Sequence, residues 1–246
     1  MTSEAYDAFA YAYDRALGER FFKAASRMLE ETLAKHPTPK RTHLDVACGT
    51  GMTVRWFRER GWRSTGVDAS LPMLQIAGEG VAGDMRRLPF RRKFARVTCL
   101  YDSLNHLLQA EELETAFRSV RGVMDEDSLF LFDVNHPEIY PEVWGLSEPY
   151  IARGRDYHLE IATTYRRREK LGRATVTGWA NVRGEKVAIR EQHLQRAYSQ
   201  REITKMLADA GLAPVDVIDF DPYGEADAVD AATVKLFFVT RPTSAR

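Results

Sequence analysis

The 246 residues are long enough for one domain with an insertion, and 44% of them are hydrophobic, so the chain can bury a large core. Lys plus Arg and Asp plus Glu number 35 each, and the zero net charge argues against a protein dominated by polyanion binding. The two cysteines, Cys48 and Cys99, do not make a disulfide framework. The sequence also shows no signal-peptide pattern and no apolar run of bilayer length, and together these features favour a cytoplasmic location.

The N-terminal stretch, residues 3–35, is predicted to be helical, because Tyr6, Phe9, Tyr13 and Leu17 recur at spacings of three or four residues. Two interpretations of this aromatic stripe are open. It forms a lid over a ligand, with Tyr6 or Tyr13 facing that ligand, or it packs against the edge of the sheet that follows. A proline-containing linker then ends the helical region.

The first predicted strand, residues 42–47, runs into a turn with two glycines and then into a helix over residues 52–60. The turn segment reads Asp45-Val46-Ala47-Cys48-Gly49-Thr50-Gly51. Glycine tolerates positive φ and has no Cβ, so a ligand can lie directly on the backbone. The N–H groups of a helix N-terminus also point outward. The turn is therefore predicted to cradle a ligand.

Small or acidic residues end the next two predicted strands. Asp68 closes the strand over residues 64–68, where it can accept hydrogen bonds from a ribose diol, and Gly83 and Asp84 close a weaker third strand. Because the carboxyl ends of parallel strands meet at one edge of a sheet, these segments predict a nucleoside site. Val54 stands where a dinucleotide fingerprint has Gly or Ala, and no phosphate-loop motif follows.

The α/β alternation continues beyond this point. The fourth and fifth predicted strands cover residues 96–101 and 129–134, with a helix over residues 111–124 and a turn over residues 125–128 between them. Five strands with intervening helices predict right-handed crossovers and a doubly wound α/β sheet.

Residues 135–198 break this alternation. Strand-like runs at residues 157–168, 173–183 and 185–196, with turn signals at Leu171-Gly172 and Arg183-Gly184, predict a small antiparallel sheet inserted after the fifth strand. A capping box then opens the last helix. The final predicted elements are a helix over residues 202–210 and strands over residues 215–220 and 234–240.

The motifs at the first three strand ends resemble those of the Rossmann-like, class I S-adenosylmethionine-dependent methyltransferases. They are Asp-Val-Ala-Cys-Gly-Thr-Gly at residues 45–51, Val-Asp-Ala-Ser at residues 67–70 and Gly-Asp-Met at residues 83–85. The resemblance covers roughly residues 40–135 well and the remainder more loosely. It implies a seven-stranded sheet whose last strand is antiparallel, an N-terminal helical lid and a β insert over the pocket.

This resemblance divides the chain into three parts. Residues 1–134 hold the lid and the cofactor-binding half, residues 135–198 form an inserted substrate subdomain, and residues 199–246 supply the last helix and the last two strands.

The resemblance implies that S-adenosylmethionine is the cofactor. Asp68 is expected to bind the ribose, Asp84 with Met85 the adenine, and Asp45 to orient the glycine turn or to reach the donor's amino group through water. Asp45 also fits a cap of backbone N–H groups, and Asp84 a turn residue. The cofactor-binding residues predicted in this way are Tyr13, Asp45, Ala47, Gly49, Gly51, Asp68, Ala69, Gly83, Asp84, Met85, Leu100 and Tyr101.

Methyl transfer from a sulfonium is an in-line displacement, so the protein mainly aligns the acceptor and excludes water, and a general base adds roughly 10²–10⁴ in rate. Residues 101–105 resemble those of amino-sugar N-methyltransferases. Tyr101 is predicted to line the donor's methionine end, and His106 is a candidate base, although a histidine at a helix start also fits capping or packing. The catalytic candidates are His193, His106 and Tyr101.

The insert supplies the candidates for acceptor binding. His193 and Tyr198 are expected to reach the acceptor and Trp144 and Trp179 to wall it, although both tryptophans also fit ordinary sheet packing. The predicted substrate-binding residues are thus Trp144, Trp179 and Tyr198. No group of His, Cys, Asp and Glu has metal-ligand spacing, so no metal site is predicted.

The predicted function is methyl transfer to a small-molecule nitrogen or oxygen nucleophile, with nitrogen favoured by the resemblance to sugar-amine N-methyltransferases. The alternatives are an RNA or protein methyltransferase and a non-catalytic, donor-binding regulatory protein. Two basic runs, residues 86–93 and 166–170, fit a nucleic-acid surface or solvated loops, and the zero net charge favours loops. Neither a nucleic acid nor a membrane is an expected partner, and a monomer and a dimer both stay open. Asp221-Pro222-Tyr223 is predicted to be a turn.

Overall fold

A computed structural model describes residues 8–145, 148–222 and 234–243 of the protein. The helices are α1 (Ala10–Tyr13), α2 (Glu19–Lys35), α3 (Met52–Glu59), α4 (Leu71–Ala77), α5 (Ala110–Gly122) and α6 (Gln200–Asp209), with π-helical turns at Asp14–Gly18 and Tyr140–Trp144 and 3₁₀ turns at Ser103–His106 and Arg167–Glu169. The strands are β1 (Thr42–Val46), β2 (Arg63–Asp68), β3 (Val81–Ala82), β4 (Phe94–Cys99), β5 (Met124–Asn135), β6 (Tyr150–Gly154), β7 (Tyr157–Arg166), β8 (Leu171–Val182), β9 (Glu185–Arg196), β10 (Leu212–Phe220) and β11 (Lys235–Pro242).

Seven strands form the main sheet, in the order β10-β11-β5-β4-β1-β2-β3. The strands β1 to β5 pair in parallel, whereas β11 lies antiparallel to both β5 and β10. Every residue of β4 is buried, as expected for a central strand covered on both faces. The predicted doubly wound sheet with an antiparallel last strand is confirmed. Its strand order reverses between β1 and β4, and ligands bind at such switch points.

Helices cover both faces of this sheet. Phe117 of α5 and Leu207 of α6 are fully buried on one face, and Phe57 of α3 is fully buried on the other. Helix α2 joins that second face through Phe21 and Leu29, whose spacing places them on one stripe of the helix. Burying such a side chain contributes about 1.5–3 kcal/mol, so the apolar stripes fix the helices on the sheet. Among the described residues, no helix has the length and hydropathy needed to cross a membrane.

The predicted turn at residues 125–128 is wrong, because β5 begins at Met124 and this segment is extended. The hydroxyl of Ser128 explains the difference. It donates to the carbonyl of Phe94 at 2.7 Å and accepts from the backbone N of Asp125 at 2.8 Å, so it satisfies polar groups where the pairing of β4 with β5 shifts register. A cluster of Asp, Glu and Ser is typical of a turn, but here it extends a strand.

Four strands form a second, antiparallel sheet in the order β6-β7-β8-β9. The predicted small sheet is confirmed, although the sequence missed β6, which is short and mostly exposed. The predicted turn at Leu171-Gly172 is wrong: both residues belong to β8, and the chain reverses at Arg167–Glu169. Gly172 has a packing role, since an added Cβ would lie 2.8 Å from the rings of Tyr140 and Trp144.

The predicted N-terminal helix is confirmed from Ala10 onward, but a π-helical turn, Asp14–Gly18, interrupts it. Tyr6 lies outside the described residues. Phe9 and Ala12 pack against the small sheet, whereas α2 packs against the main sheet. The N-terminal segment therefore joins the two sheets, and its π-helical turn lies at the junction.

Candidate active site

The turn after β1 has a backbone that favours glycine. Ala47, Gly49 and Gly51 have φ values of 57°, 53° and 82°. Gly51 is the N-cap of α3, and an added Cβ there would lie 3.4 Å from the Cβ of Ala77. An added Cβ on Gly49 would meet only the sulfur of Met73, at 4.0 Å. The backbone of Gly49 is therefore exposed to open space.

That space is a cavity at the carboxyl ends of the central parallel strands, where this topology places ligands. Most of the predicted cofactor-binding residues line it, namely Tyr13, Asp45, Ala47, Gly49, Asp68, Ala69, Gly83, Met85, Leu100 and Tyr101. The other lining residues are Phe22, Cys48, Thr50, Met52, Thr53, Val67, Ser70, Met73, Ser103 and His106.

Asp68 lies in the wall of this cavity and is held by the backbone. The N–H of Gly49 donates to its Oδ2 at 2.7 Å, and the N–H of Ser70 donates to its Oδ1 at 2.7 Å. Burial raises the pKa of Asp68 above its usual value, and these hydrogen bonds oppose that shift. The backbone N–H of Ala69 also stabilises this carboxylate, which accepts about four hydrogen bonds in all, so Asp68 retains capacity for at least one ribose hydroxyl.

Two predicted cofactor-binding residues, Gly51 and Asp84, are not in the cavity wall. Gly51 is the N-cap of α3 and faces Ala77 instead. The guanidinium and the backbone N–H of Arg86 both donate to Asp84, and Arg86 also pairs with Glu112. Hydrogen bonding from Arg86 lowers the pKa of Asp84. Met85 lies buried in the cavity wall beside it.

Asp45 is buried at the base of the cavity. Burial raises its pKa to about 7; the hydrogen bond from Thr98 opposes this shift, and the negative charge of Asp68 adds to it. Thr98 Oγ1 donates to Asp45 Oδ1 at 2.5 Å. Near neutral pH, Asp45 therefore populates both its protonated and its ionised form.

A second unusual turn follows β4. Tyr101 and Asp102 have φ values of 65° and 46°, although neither is glycine. The carboxylate of Asp133 accepts the backbone N–H groups of both, at 2.6 and 3.0 Å. Lys235 Nζ donates to Asp133 at 2.9 Å and also pairs with Asp102. Such a backbone conformation costs of order 1–3 kcal/mol per residue, and this buried cluster stabilises it.

Sequence reasoning missed Asp133 and Lys235. Each stands in an apolar strand, within Leu-Phe-Leu-Phe-Asp-Val and Val-Lys-Leu-Phe-Phe-Val. Asp and Lys are almost never fully buried unless they are paired, so a charge in a buried strand was the available signal. The antiparallel register of β11 on β5, which sets Lys235 opposite Asn135, brings the two charges together.

The π-helical turn lies over the glycine turn. Thr50 Oγ1 donates to Asp14 Oδ1 at 2.6 Å, and the hydroxyl of Tyr101 donates to the carbonyl of Gly18. The rings of Tyr13 and Tyr101 lie 5.8 Å apart, centroid to centroid, and both line the cavity. The first half of the N-terminal segment therefore covers one side of the cavity.

His106 and His193 lie side by side, with ring centroids 6.3 Å apart. His106 lines the cavity, and burial lowers its pKa to about 4 although Asp102 opposes the shift, so its imidazole is neutral at neutral pH. His193, on β9, is buried, and its Nε2 lies 3.4 Å from Glu191 Oε2. Glu191 Oε1 accepts the N–H of Phe9 at 3.2 Å. The sequence analysis also missed Glu191. It could have been found because it stands two residues before His193, and side chains at that spacing share one face of a strand.

His193 is not in the cavity wall, and neither are the other predicted acceptor residues, Trp144, Trp179 and Tyr198. Trp144 packs on Tyr140 with ring centroids 5.0 Å apart, and Trp179 lies under a lysine ammonium. Tyr198 is fully buried, and its hydroxyl donates to the carbonyl of Leu107 at 2.6 Å. These contacts are those of packing side chains, so the assignment of all three to the substrate stays a prediction.

The central part of the chain is similar in sequence to known methyltransferases. Residues 44–132 match the sequence model of a family described as "Methyltransferase domain". A protein of Geobacillus sp. (strain WCH70), provisionally named a methyltransferase, is 33% identical over 141 residues, which are 53% of this chain and 57% of the relative. The dTDP-3-amino-3,6-dideoxy-alpha-D-glucopyranose N,N-dimethyltransferase of Streptomyces fradiae is 31% identical over 132 residues, 51% of this chain and 50% of that protein. The matches thus span about half the length of these relatives.

Solved structures match almost the whole chain. An S-adenosylmethionine-dependent methyltransferase from Clostridium acetobutylicum is similar with a TM-score of 0.79 and 22% identity, over 96% of this chain and 98% of that one. The S-adenosylmethionine-bound amino pentose methyltransferase CalS10 from Micromonospora echinaspora is similar with a TM-score of 0.73 and 20% identity, over 96% and 97% of the two chains. At this identity the likeness establishes the fold, including the small second sheet.

Proposed function

We propose that the protein transfers the methyl group of S-adenosylmethionine to an amine nitrogen of a small molecule, a proposal that starts from the match of residues 44–132 to a family described as "Methyltransferase domain". The observation that carries the proposal is the cavity over Gly49. It combines a backbone surface without a Cβ and a half-buried carboxylate, Asp68, at the switch point of the sheet. A nucleoside needs both features, the first for close approach and the second for its hydroxyls.

The donor, when bound, supplies a methyl group on a positively charged sulfur. The chain's own residues then bind and orient it. Asp68 would accept the ribose hydroxyls, Gly49 would leave room for the adenosine, and Asp45 would lie toward the charged amino group. Tyr13 and Tyr101, both in the cavity wall, would exclude water from the remaining side. Alignment of this kind supplies up to ~7–11 kcal/mol of the barrier in the best cases.

The acceptor end is proposed to lie at His106 and His193, where the insert meets the cavity. The nitrogen lone pair forms a bond to the methyl carbon as the carbon–sulfur bond breaks, and the bonding electrons remain on sulfur. An amine in water carries an extra proton, which must leave before its lone pair can attack. The carboxylate of Glu191 beside the imidazole of His193 attracts that cation, and the imidazole accepts the proton.

Two further facts support nitrogen as the atom methylated. The Streptomyces fradiae relative is named for dimethylation of an amino-sugar nitrogen. A largely covered acid, Glu191, next to the candidate base also suits a cationic amine better than a neutral hydroxyl. The division of the chain at residues 134 and 198 belongs to this proposal, and the position of Glu191 and His193 on β9 of the insert supports it.

Asp68→Ala is expected to weaken binding of S-adenosylhomocysteine by roughly 10- to 150-fold, since losing a hydrogen-bond acceptor that carries charge costs ~1.5–3 kcal/mol. Titration calorimetry measures this affinity. Asp125→Ala, at a partly exposed carboxylate paired with Lys40, serves as the control and should bind as the wild type does. An Asp68→Ala protein with unchanged affinity would disprove the ribose assignment.

Alanine variants of the two histidines decide between the candidate bases. With dTDP-3-amino-3,6-dideoxy-α-D-glucopyranose as the probe acceptor, His193→Ala is expected to lower kcat by roughly 10²–10⁴ with little change in S-adenosylhomocysteine affinity. A base acts deprotonated, so the rate rises with pH through its pKa. Because the pKa of His106 is about 4, a limb between pH 6 and 8 does not come from His106.

His106→Ala is therefore expected to leave the pH dependence of kcat between pH 6 and 8 unchanged, whereas His193→Ala is expected to lose most of kcat at every pH in that range. The reverse result would assign the base to His106. Consumption of S-adenosylmethionine with RNA or protein acceptors, and with no small amine, would contradict the proposed function itself.

A further inference from the structure

A buried chain of polar side chains leads away from Asp45 across three neighbouring strands. Thr98 Oγ1 lies 2.5 Å from Asp45 Oδ1, His43 Nε2 lies 2.9 Å from Thr98 Oγ1, and His43 Nδ1 lies 2.7 Å from Ser64 Oγ. Parallel register produces this row, because Asp45 pairs with Thr98 and His43 with Ser64. None of the four residues is more than 5% exposed, so the chain is closed to bulk water.

For the ionised form of Asp45, the proton count fixes the direction of every hydrogen bond in this row. When Asp45 is ionised, Thr98 donates its one proton to Asp45, so His43 donates from Nε2 to Thr98 and accepts at Nδ1 from Ser64. When the proton of neutral Asp45 is on Oδ1, all three bonds reverse; when it is on Oδ2, Thr98 still donates to Oδ1. A neutral imidazole has one donor and one acceptor, as both directions require, and burial lowers the pKa of His43 well below its usual value.

The charge around Asp45 is otherwise unfavourable to its ionised form. Asp68 repels it, the thiol of Cys48 stays protonated because burial raises its pKa, and His43 is neutral. Thr98 and Thr53 supply hydrogen bonds but no positive charge. None of these neighbours is a cation, so a cationic group of a ligand in the cavity would be the favourable partner of this carboxylate.

We propose that Thr98, His43 and Ser64 are positioning residues that hold Asp45 toward the charged amino group at the methionine end of the donor. The inference rests on the proposed function, because it requires the cavity to bind S-adenosylmethionine. It assigns a role to a buried histidine that lies outside the cavity wall and would otherwise be only a packing residue stacked on Phe57.

Two ligands and two variants test the proposal by calorimetry. S-adenosylhomocysteine carries the amino group, whereas 5′-methylthioadenosine shares the adenosine but has no amino acid portion. Thr98→Val, which keeps the shape and removes the hydroxyl, is expected to weaken S-adenosylhomocysteine about tenfold or more and to leave 5′-methylthioadenosine within about twofold. Thr98→Ser restores the hydroxyl and is expected to restore the affinity.

The pH dependence gives a second readout that a structural role would not change. The carboxylate form binds the amino group, so affinity for S-adenosylhomocysteine should rise with pH through the pKa of Asp45, about 7 in the wild type. The hydrogen bond from Thr98 lowers that pKa, so the midpoint should move to higher pH in Thr98→Val. Ser64→Ala, at the far end of the row, should shift the pH midpoint in the same direction by a smaller amount. It takes the place of Thr98→Val if that variant does not fold.

If Thr98→Val lowered the affinity for both ligands equally, or if the pH midpoint did not move, Thr98, His43 and Ser64 would not be positioning residues for Asp45. The proposed function would be unaffected by either result. A wild-type protein that binds neither ligand would overturn the proposed function, and with it the positioning role of these three residues.

Discussion

Gly49→Val is expected to abolish detectable binding of S-adenosylhomocysteine, a loss of at least about 100-fold, equivalent to ~2.7 kcal/mol, while the protein stays folded. The new side chain would enter the cavity, since the space next to Gly49 is open up to the sulfur of Met73 at 4.0 Å. Gly49 also has a φ of 53°. A left-handed conformation costs a residue with a Cβ roughly 1–2 kcal/mol, so the melting temperature should fall as well.

Gly61→Val is the matched control that separates these two effects. Gly61 has a φ of 76°, lies outside the cavity wall, and an added Cβ there would meet nothing within 4 Å. This variant should lose stability to a similar degree and keep its affinity for S-adenosylhomocysteine. Normal binding by a folded Gly49→Val protein would show that the turn is not the cofactor cradle.

Lys235→Met is expected to destabilise the protein by about 3–5 kcal/mol, because it leaves the fully buried Asp133 and the partly buried Asp102 without their cation. The lysine is almost fully buried and pairs with both carboxylates. The midpoint of urea unfolding, with the slope of the transition as a check on two-state behaviour, measures the change. Lys205→Met is the control, since its partner Asp209 is on the surface of α6, and its midpoint should not move.

A second substitution tests the physical reason for that loss. Adding Asp133→Asn to Lys235→Met removes one of the two uncompensated charges, so the double variant should be more stable than Lys235→Met alone. The contrary result would be a double variant whose loss of stability relative to the wild type equals the sum of the losses in Lys235→Met and in Asp133→Asn. The buried charges would then not be the source of the effect.

The glycine turn and Asp68 could be predicted because their signals are local. A strand, a turn and a helix follow one another within a few residues, and the carboxyl ends of parallel strands converge on one edge whatever the rest of the chain does. Asp45 and Met85 followed from the same rule, and both line the cavity.

The remaining site residues depend on register between distant strands. Lys235 reaches Asp133 only through the pairing of β11 with β5, and Glu191 meets Phe9 across 182 residues of sequence. Alternation along a strand gives two faces but does not say which face meets the cavity. Trp179 was chosen by residue type alone, whereas Glu191 and His193 share a face of β9. The side chain of Asp84 was predicted to contact adenine, but the guanidinium of Arg86, two residues later, donates to it instead.

The π-helical turn over the cavity has a kinetic consequence. Asp14 binds Thr50 of the glycine turn, and the adjacent Arg15 pairs with Asp156 of the small sheet, whose Tyr157 also donates to the carbonyl of Arg15. Neighbouring residues in one turn cannot move apart, so the turn can swing away from the cavity only if the contact of Asp14 with Thr50 or those of Arg15 with Asp156 and Tyr157 break. Weakening either set of contacts is therefore expected to speed the release of a ligand that leaves past this turn.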